Sequence, residues 1–340
     1  MERIQGLKEY IARKEFKEAL RIPEETEISC GLLAQGEYNI NYVFTHPITQ
    51  KKLVLRINAG SQMHLEDQIG YEYQALKGLE HSGRTPIPYY VDGTRKYLPY
   101  GIMVMEFLEG VPLDYRKDMP LAAECLADIH STPVPEQSIL LHPESPLHAI
   151  LDECDQMFRT YEESELGDEQ KKCQIRHMLE AGRRKADRAA AMVYPKCCIN
   201  TELNSGNFLI NGKGKNNYLI DWEKPLLGDP AQDLGHFLAP TTTFWKTDVI
   251  LTEEEIRSFV ELYEKAVNGR IPLEGLKERV DIFIPITCLR GITWCAMAWV
   301  EYQQPDKLIQ NAFTKKKLDD YLSPAFLNQI EQRYYAENVQ

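Results

Sequence analysis

The chain lacks any run of 18 apolar residues, although 43% of its 340 residues are hydrophobic. It therefore has material for cores but no stretch that reads as a membrane span. Residues 1–8, Met-Glu-Arg-Ile-Gln-Gly-Leu-Lys, contain no apolar signal core, so export is not expected. Positive charge is scarce: 39 Lys and Arg stand against 51 Asp and Glu, a net charge of -12. That balance argues against non-specific nucleic-acid binding and is compatible with a cationic substrate. No Cys-x-x-Cys pair occurs among the eight cysteines, which points away from zinc and thioredoxin-like sites and towards reduced thiols. The adjacent Cys197 and Cys198 read as small buried residues. Internal repeats and low-complexity tracts are also missing. The expectation is a cytoplasmic protein with no nucleic-acid or membrane partner, as a monomer or homodimer.

What the chain has is length for two lobes. Residues 2–20 carry Ile4, Leu7, Tyr10, Ile11 and Phe16 at near-helical spacing. Residues 28–33, 39–45 and 52–57 are short and β-prone, residues 64–81 return to a helical period, and residues 87–91 and 101–107 are again strand-like. Helical patterns dominate from about Pro120: 121–130, 146–165, 168–193, 252–268, 274–302 and 315–337. Residues 282–300 are the most apolar segment, but Pro285, Thr287, Arg290 and Thr293 mark them as a buried helix. The break between lobes is expected near Glu109-Gly110-Val111-Pro112, where Gly and Pro end a strand.

Residues 198–235 are the most informative. Residues 208–210 and 218–220 are apolar runs, and the Asn-Gly-Lys-Gly-Lys-Asn-Asn segment between them is turn material. A hairpin follows, with Asn207 entering its first strand and Asp221 leaving its second, so the two positions lie side by side. Glu202 lies five residues before Asn207. An amide oxygen and carboxylates converging at one hairpin end suit a hard cation such as Mg²⁺. They also suit a base that receives a hydroxyl proton.

This stretch resembles the catalytic core of the aminoglycoside phosphotransferase and choline kinase family, small-molecule relatives of the protein kinases. The family loop reads His-x-Asp-x-x-x-x-Asn, followed by a hairpin, Ile-Asp-Trp/Phe and Gly-Asp-Pro-x-x-Asp-Leu. Asn207 and Asp221 match its two metal-binding positions, and Gly228, Asp229, Pro230, Asp233 and Leu234 match the closing block. Asn200 replaces the loop His, and Glu202 replaces the catalytic Asp. The resemblance implies an α+β, protein-kinase-like bilobal fold. Its N-lobe would span 1–108, an antiparallel sheet and helix preceded by an N-terminal helix. Its helical C-lobe would span 109–340, with the catalytic loop at 198–207 and the metal-binding hairpin at 207–221.

The same resemblance implies a nucleotide cradle. Gly36 and Asn39 match the phosphate-covering loop, where a glycine lets backbone approach phosphate oxygens. Arg56 matches the basic residue of the third strand, and Glu72 on the next helix would pair with it. The carbonyl of Glu106 and the amide of Leu108 match the adenine-binding hinge. Met103 and Met105 read equally as core or pocket wall, and His130 reads as structural. Asp229 and Asp233 match residues that brace the loop, and Asp233 is expected to bond to backbone.

The implied activity is transfer of the γ-phosphate of ATP, or GTP, to a hydroxyl of a small molecule, which an amine would suit. Mg²⁺ would be held by Asn207 and Asp221, and Glu202 would serve as base. Candidate substrate-lining residues are the segment 241–245, Arg290, Trp294 and Glu301. At least two of Trp245, Trp294 and Trp299 are expected in the core. Two other readings stay open: a nucleotide-binding regulatory protein with weakened catalysis, and an interaction protein that binds no nucleotide.

Overall fold

The structure, a computed structural model, describes residues 4–190, 192–304 and 311–336. The outermost residues of the helices expected over 2–20 and 315–337 lie outside them. Two compact units divide the chain: residues 1–141 with 206–226, and residues 142–205 with 227–340.

The first unit begins with two short helices, α1 (Leu7–Ala12) and α2 (Lys14–Ala19), where one was expected. Arg13 separates them because its backbone is extended, with φ -65° and ψ 144°. Leu7, Tyr10, Ile11 and Phe16 still share one apolar cluster with Tyr42, Leu55, Ile57 and Val104.

Five strands follow: β1 (Gly31–Gln35), β2 (Asn39–Thr45), β3 (Lys52–Asn58), β4 (Pro88–Asp92) and β5 (Gly101–Glu106). They form one antiparallel sheet in the order β1-β2-β3-β5-β4. The central β3 is buried along nearly its whole length. Side chains alternate between the faces of a strand. Leu53, Leu55 and Ile57 enter the cluster that holds the N-terminal helices, so Arg56 points to the other face. Helix α3 (Gln68–Leu79) starts at Asp67, whose side chain accepts from the Gly70 amide. Its buried residues, Gln68, Ile69, Tyr71, Glu72, Ala75, Leu76 and Leu79, recur at helical spacing. Glu72 is thus carried within an otherwise mostly apolar stripe.

The first unit also contains α4 (Met119–His130) and a hairpin of β7 (Phe208–Leu209) and β8 (Tyr218–Leu219). The resemblance places both in the helical lobe, over 109–340. Backbone bonds tie the hairpin to segments flanking the sheet: Val111 and Ile210 exchange N–H···O bonds of 3.1 and 2.8 Å, and the Leu219 amide donates to Arg84 O at 2.8 Å.

The second unit is mostly helical: α5 (Pro146–Glu162), α6 (Glu169–Ala189), α7 (Pro230–Leu238), α8 (Pro240–Lys246), α9 (Glu253–Val267), α10 (Leu276–Tyr302), α11 (Ala312–Tyr321) and α12 (Pro324–Tyr334). A two-stranded sheet of β6 (Cys197–Ile199) and β9 (Leu226–Gly228) lies beside the loop that precedes Asn207. Ser323 caps α12 through the Phe326 amide and Pro324 follows it, so the helix expected over 315–337 is two helices. Helix α10 is long and apolar enough to cross a membrane, but 67% of its most apolar window is buried, as in a core helix.

Candidate active site

In the first unit the site is built on Arg56. Its Nη1 pairs with Glu72, its Nε donates to Asn41 Oδ1 at 3.1 Å, and its Nη2 and Nη1 lie 3.8 and 3.9 Å from Asp221 and Glu223. The Arg56 and Glu72 side chains are 7% and 2% exposed. Burial works against the charge on Arg56, but Glu72, Asp221 and Glu223 outweigh it and hold the guanidinium above its ordinary pKa. Burial lifts the Glu72 carboxyl above the usual range, with Arg56 opposing.

Glu223 completes this cluster, and sequence reasoning missed it. Its carboxylate accepts from Asn39 Nδ2. Asn58 Nδ2 in turn donates to Asn39 Oδ1 at 2.9 Å. The segment around Glu223 is tied to α3, since Gln68 Nε2 donates to Glu223 O at 2.7 Å and the Tyr71 hydroxyl to Pro225 O at 2.6 Å. The Glu223 carboxyl is pushed up to about 7, first by burial and next by the charge of Asp221, with Glu72 adding and Arg56 and Asn39 opposing. The available signal was only a carboxylate two residues beyond Asp221; the bend at Asp221, φ 68°, decides where it points.

The hairpin sets Asn207 opposite Ile220, one residue before Asp221. Phe208 pairs with Leu219, and the Ile220 amide donates to Asn207 O at 2.9 Å. Asn217 organises the turn: its Oδ1 accepts from the Asn211 and Gly212 amides at 2.8 and 3.1 Å. Asp221 has φ 68°, the left-handed region that a non-glycine residue seldom adopts. Trp222, 1% exposed, anchors the bend by donating from Nε1 to Leu219 O at 3.0 Å. Three carboxylates therefore face one guanidinium, and Glu72 Oε2 is buried with no hydrogen-bond partner among the described residues. Among the described residues no three His, Cys, Asp or Glu side chains are grouped so as to hold a metal by themselves; the Asp221 side chain, 41% exposed, is a carboxylate open to a cation such as the Mg²⁺ that accompanies a nucleotide.

The other residues expected to contact nucleotide lie at the ends of strands of the same sheet or just beyond them. Gly36 lies in the β1–β2 turn, where its amide donates to Asn39 O at 2.8 Å. A Cβ there would meet nothing closer than Asn39 O at 3.8 Å, so packing within the chain makes no demand for glycine. Glu106 ends β5 and Leu108 lies two residues on, in the segment leading to Val111. Met103 and Met105 are both core, 0% and 7% exposed.

In the second unit the loop before Asn207 is held from beneath. Asp233, fully buried, accepts from the amides of Asn200 and Thr201 at 2.8 and 2.7 Å. Thr201 is thereby fixed at φ 69°. Asn200 Oδ1 accepts from the Glu202 amide at 3.1 Å, so the residue standing where the family has His supports the backbone of Glu202. The Glu202 carboxylate lies 3.4 Å from Arg290 Nη2. Asp229 caps α7 through the Ala231 amide and accepts from Arg279 Nε at 2.7 Å in a buried pair.

The candidate substrate residues divide. Thr241, Thr242 and Thr243 are buried, and Thr241 packs against Gly291 of α10. They line nothing. Trp245 and Trp294 stack edge to face at 5.4 Å, and Trp294 is 40% exposed. None of Trp245, Trp294 and Trp299 is fully buried; the core tryptophan is Trp222. The expectation that at least two of the three are core is not met: Trp294 is exposed, and Trp245 and Trp299 are half-buried, the latter donating from Nε1 to Asp319 Oδ1 at 3.0 Å.

Solved structures share this architecture. A spectinomycin phosphotransferase in complex with ADP and spectinomycin is 16% identical, with a TM-score of 0.61 over 89% of this chain and 92% of that one. An ethanolamine kinase of Plasmodium vivax is 15% identical, with a TM-score of 0.61 over 92% and 87%. A microcompartment-associated aminopropanol kinase is 14% identical, with a TM-score of 0.64 over 94% and 96%. At these identities the likeness establishes the fold, which is protein-kinase-like. No protein of curated function matches the chain by sequence. The model of a group described as the phosphotransferase enzyme family matches residues 30–270, more than half of the chain. The Arg56–Glu72 pair, the Asn207–Asp221 hairpin and the Asp233 brace lie within that match, and the chain belongs to the phosphotransferase enzyme family.

Proposed function

We propose that this phosphotransferase transfers the γ-phosphate of ATP, with Mg²⁺, to a hydroxyl of a small amine-bearing molecule. The observation that carries the reading is the cluster of Glu72, Asp221 and Glu223 around Arg56. One fixed cation and an excess of carboxylates suit a nucleotide polyphosphate and its metal together. Bound Mg-ATP supplies the reactive phosphoryl group and the cation that neutralises its charge.

The residues take separable roles. Arg56, aimed by Glu72, grips phosphate oxygens with its forked donors. Asn207 and Asp221 hold the metal, and Glu223 offers a third oxygen ligand. The open turn at Gly36 lets backbone approach phosphate, and the Glu106 carbonyl and Leu108 amide take adenine. Glu202 orients the acceptor hydroxyl and receives its proton. Phosphoryl transfer asks mainly for such positioning and charge balance. The half-exposed Trp294, with Trp245 against it, offers an aromatic face of the kind that binds ammonium groups. The acidic balance of the chain and the ethanolamine and aminopropanol kinases of like fold point the same way.

A thermal-shift screen of Mg-ATP and Mg-GTP, then of ethanolamine, choline, aminopropanol and spectinomycin in the presence of the nucleotide, tests the reading when followed by product analysis. Nucleotide binding with no phosphorylated product would favour the regulatory alternative, which the Glu at position 202 motivates. No nucleotide binding by folded protein would refute both. A cytoplasmic monomer or homodimer, without membrane or nucleic-acid partner, completes the proposal.

A further inference from the structure

The residue at 202 is one methylene longer than the family's aspartate. An added rotatable bond costs side-chain entropy when the carboxylate is held still, and displacement of a reacting group by about 1 Å can cost roughly 10²-fold in rate. Something in this chain must hold the longer side chain if it is to work as a base.

Helix α10 carries the candidate. Arg290 donates from Nε and Nη2 to the two oxygens of Glu153 on α5, at 2.9 and 3.3 Å. The same Nη2 reaches Glu202 Oε1 at 3.4 Å. Glu153 takes the shorter contacts and so anchors the guanidinium, leaving Nη2 shared with Glu202. The helix is fixed at this level. Leu289 and Ile292 on either side are fully buried, and a Cβ on Gly291 would fall 2.6 Å from Thr241 Cβ. The Glu202 main chain is fixed independently by Asn200 and by the Asp233 brace. Both ends of the side chain thus have a support.

We infer that Arg290, anchored by Glu153, is the positioning residue that holds the carboxylate of Glu202, and that this clamp is what allows a glutamate at this place in the loop. Arg290 is suited to the task because a planar guanidinium can serve two carboxylates at once, whereas an ammonium is a single point of charge. The inference rests on the reading of Glu202 as base, but its test does not. A nearby cation favours the ionised form of a carboxyl, so the clamp is visible in the titration of Glu202 with no substrate present.

The experiment is a carbon-13 NMR titration of side-chain-labelled glutamates, with the Glu202 signal assigned by its loss in Glu202→Gln. In Arg290→Gln the Glu202 signal should titrate at higher pH than in the wild type. Arg290→Lys should shift it in the same direction, and serves alone if the Gln variant does not fold. An unchanged midpoint in a folded variant overturns the clamp. Turnover then tests what the clamp does, with whichever acceptor yields product. Arg290→Gln should lower kcat by roughly 10-fold or more with little change in KM for Mg-ATP. In a Glu202→Asp background, where the shorter carboxylate falls away from Arg290, the same substitution should cost little more. Equal losses in both backgrounds would assign Arg290 another role. If instead Glu202→Gln leaves turnover intact, the base assignment fails while the titration result stands.

Discussion

Arg56 on β3 and Glu72 on α3 form a buried ion pair whose guanidinium also faces Asp221 and Glu223, at 3.8 and 3.9 Å. The pair links the sheet to α3, and the two further carboxylates link it to the hairpin. The segment that follows the hairpin is bonded to α3 in its own right, by Gln68 and Tyr71. Strand, helix and hairpin therefore meet at one guanidinium.

Removing that guanidinium should be costly. Arg56→Met leaves a 2% exposed carboxylate at Glu72 without its cation, and breaking a buried pair in this way destabilises by about 3–5 kcal/mol. Glu72→Gln should cost less, because Arg56 keeps Asp221 and Glu223 nearby. Urea unfolding of the two variants checks the order. A greater loss for Glu72→Gln would mean that Arg56 is not the shared partner.

Mg-ATP should raise the melting temperature, since a ligand that binds only the folded state stabilises it by mass action. Asp221→Ala should abolish the part of the shift that depends on Mg²⁺ and leave part of the nucleotide effect, because Arg56 remains. A Mg²⁺-dependent shift that survives this substitution would remove Asp221 from the metal site.

Glu202→Gln keeps size and removes the proton acceptor. Nucleotide-induced stabilisation should be nearly unchanged, and turnover should fall by roughly 10²-fold or more. Glu202→Asp should be slower than the wild type if the loop is adapted to the longer side chain. A faster Asp variant would mark the natural protein as a partly disabled kinase with a regulatory role.

Stability without metal should depend on pH through Glu223. Its carboxyl is raised from 4.5 to about 7 in the folded protein, so the unfolded chain loses this proton first. The stability linked to it is fully present below about pH 4.5 and is lost as pH rises through about 7. Glu223→Gln should flatten the fall between pH 5 and 8 seen by urea unfolding in chelator. Binding of Mg²⁺ should release a proton near neutral pH and strengthen as pH rises. A wild-type profile that matches that of Glu223→Gln would dismiss Glu223 as the titrating group.

The order of elements was legible in the chain because it rests on local properties. Side-chain period separates β3 from α3, and the turn-rich segment between residues 210 and 218 allows little but a hairpin. The placement of Asn207 near Asp221 follows from that hairpin alone. The pairing of Arg56 with Glu72 came from resemblance, and the geometry agrees with it. The splitting of the first helix at Arg13 was not legible, since a single backbone rotation decides it and no side chain announces it. Nor was the exposure of Trp294, because the heavily apolar sequence of α10 does not mark which stripe faces out. Glu223, Arg279 and Glu153 depend wholly on tertiary structure. Each acts through a partner on a distant segment: Asn39 lies 184 residues from Glu223, Asp229 lies 50 from Arg279, and Glu153 lies 137 from Arg290. Residue type and spacing announce a charge, but only the packing of α3 on the sheet, and of α10 on α5 and α7, decides which partner it meets.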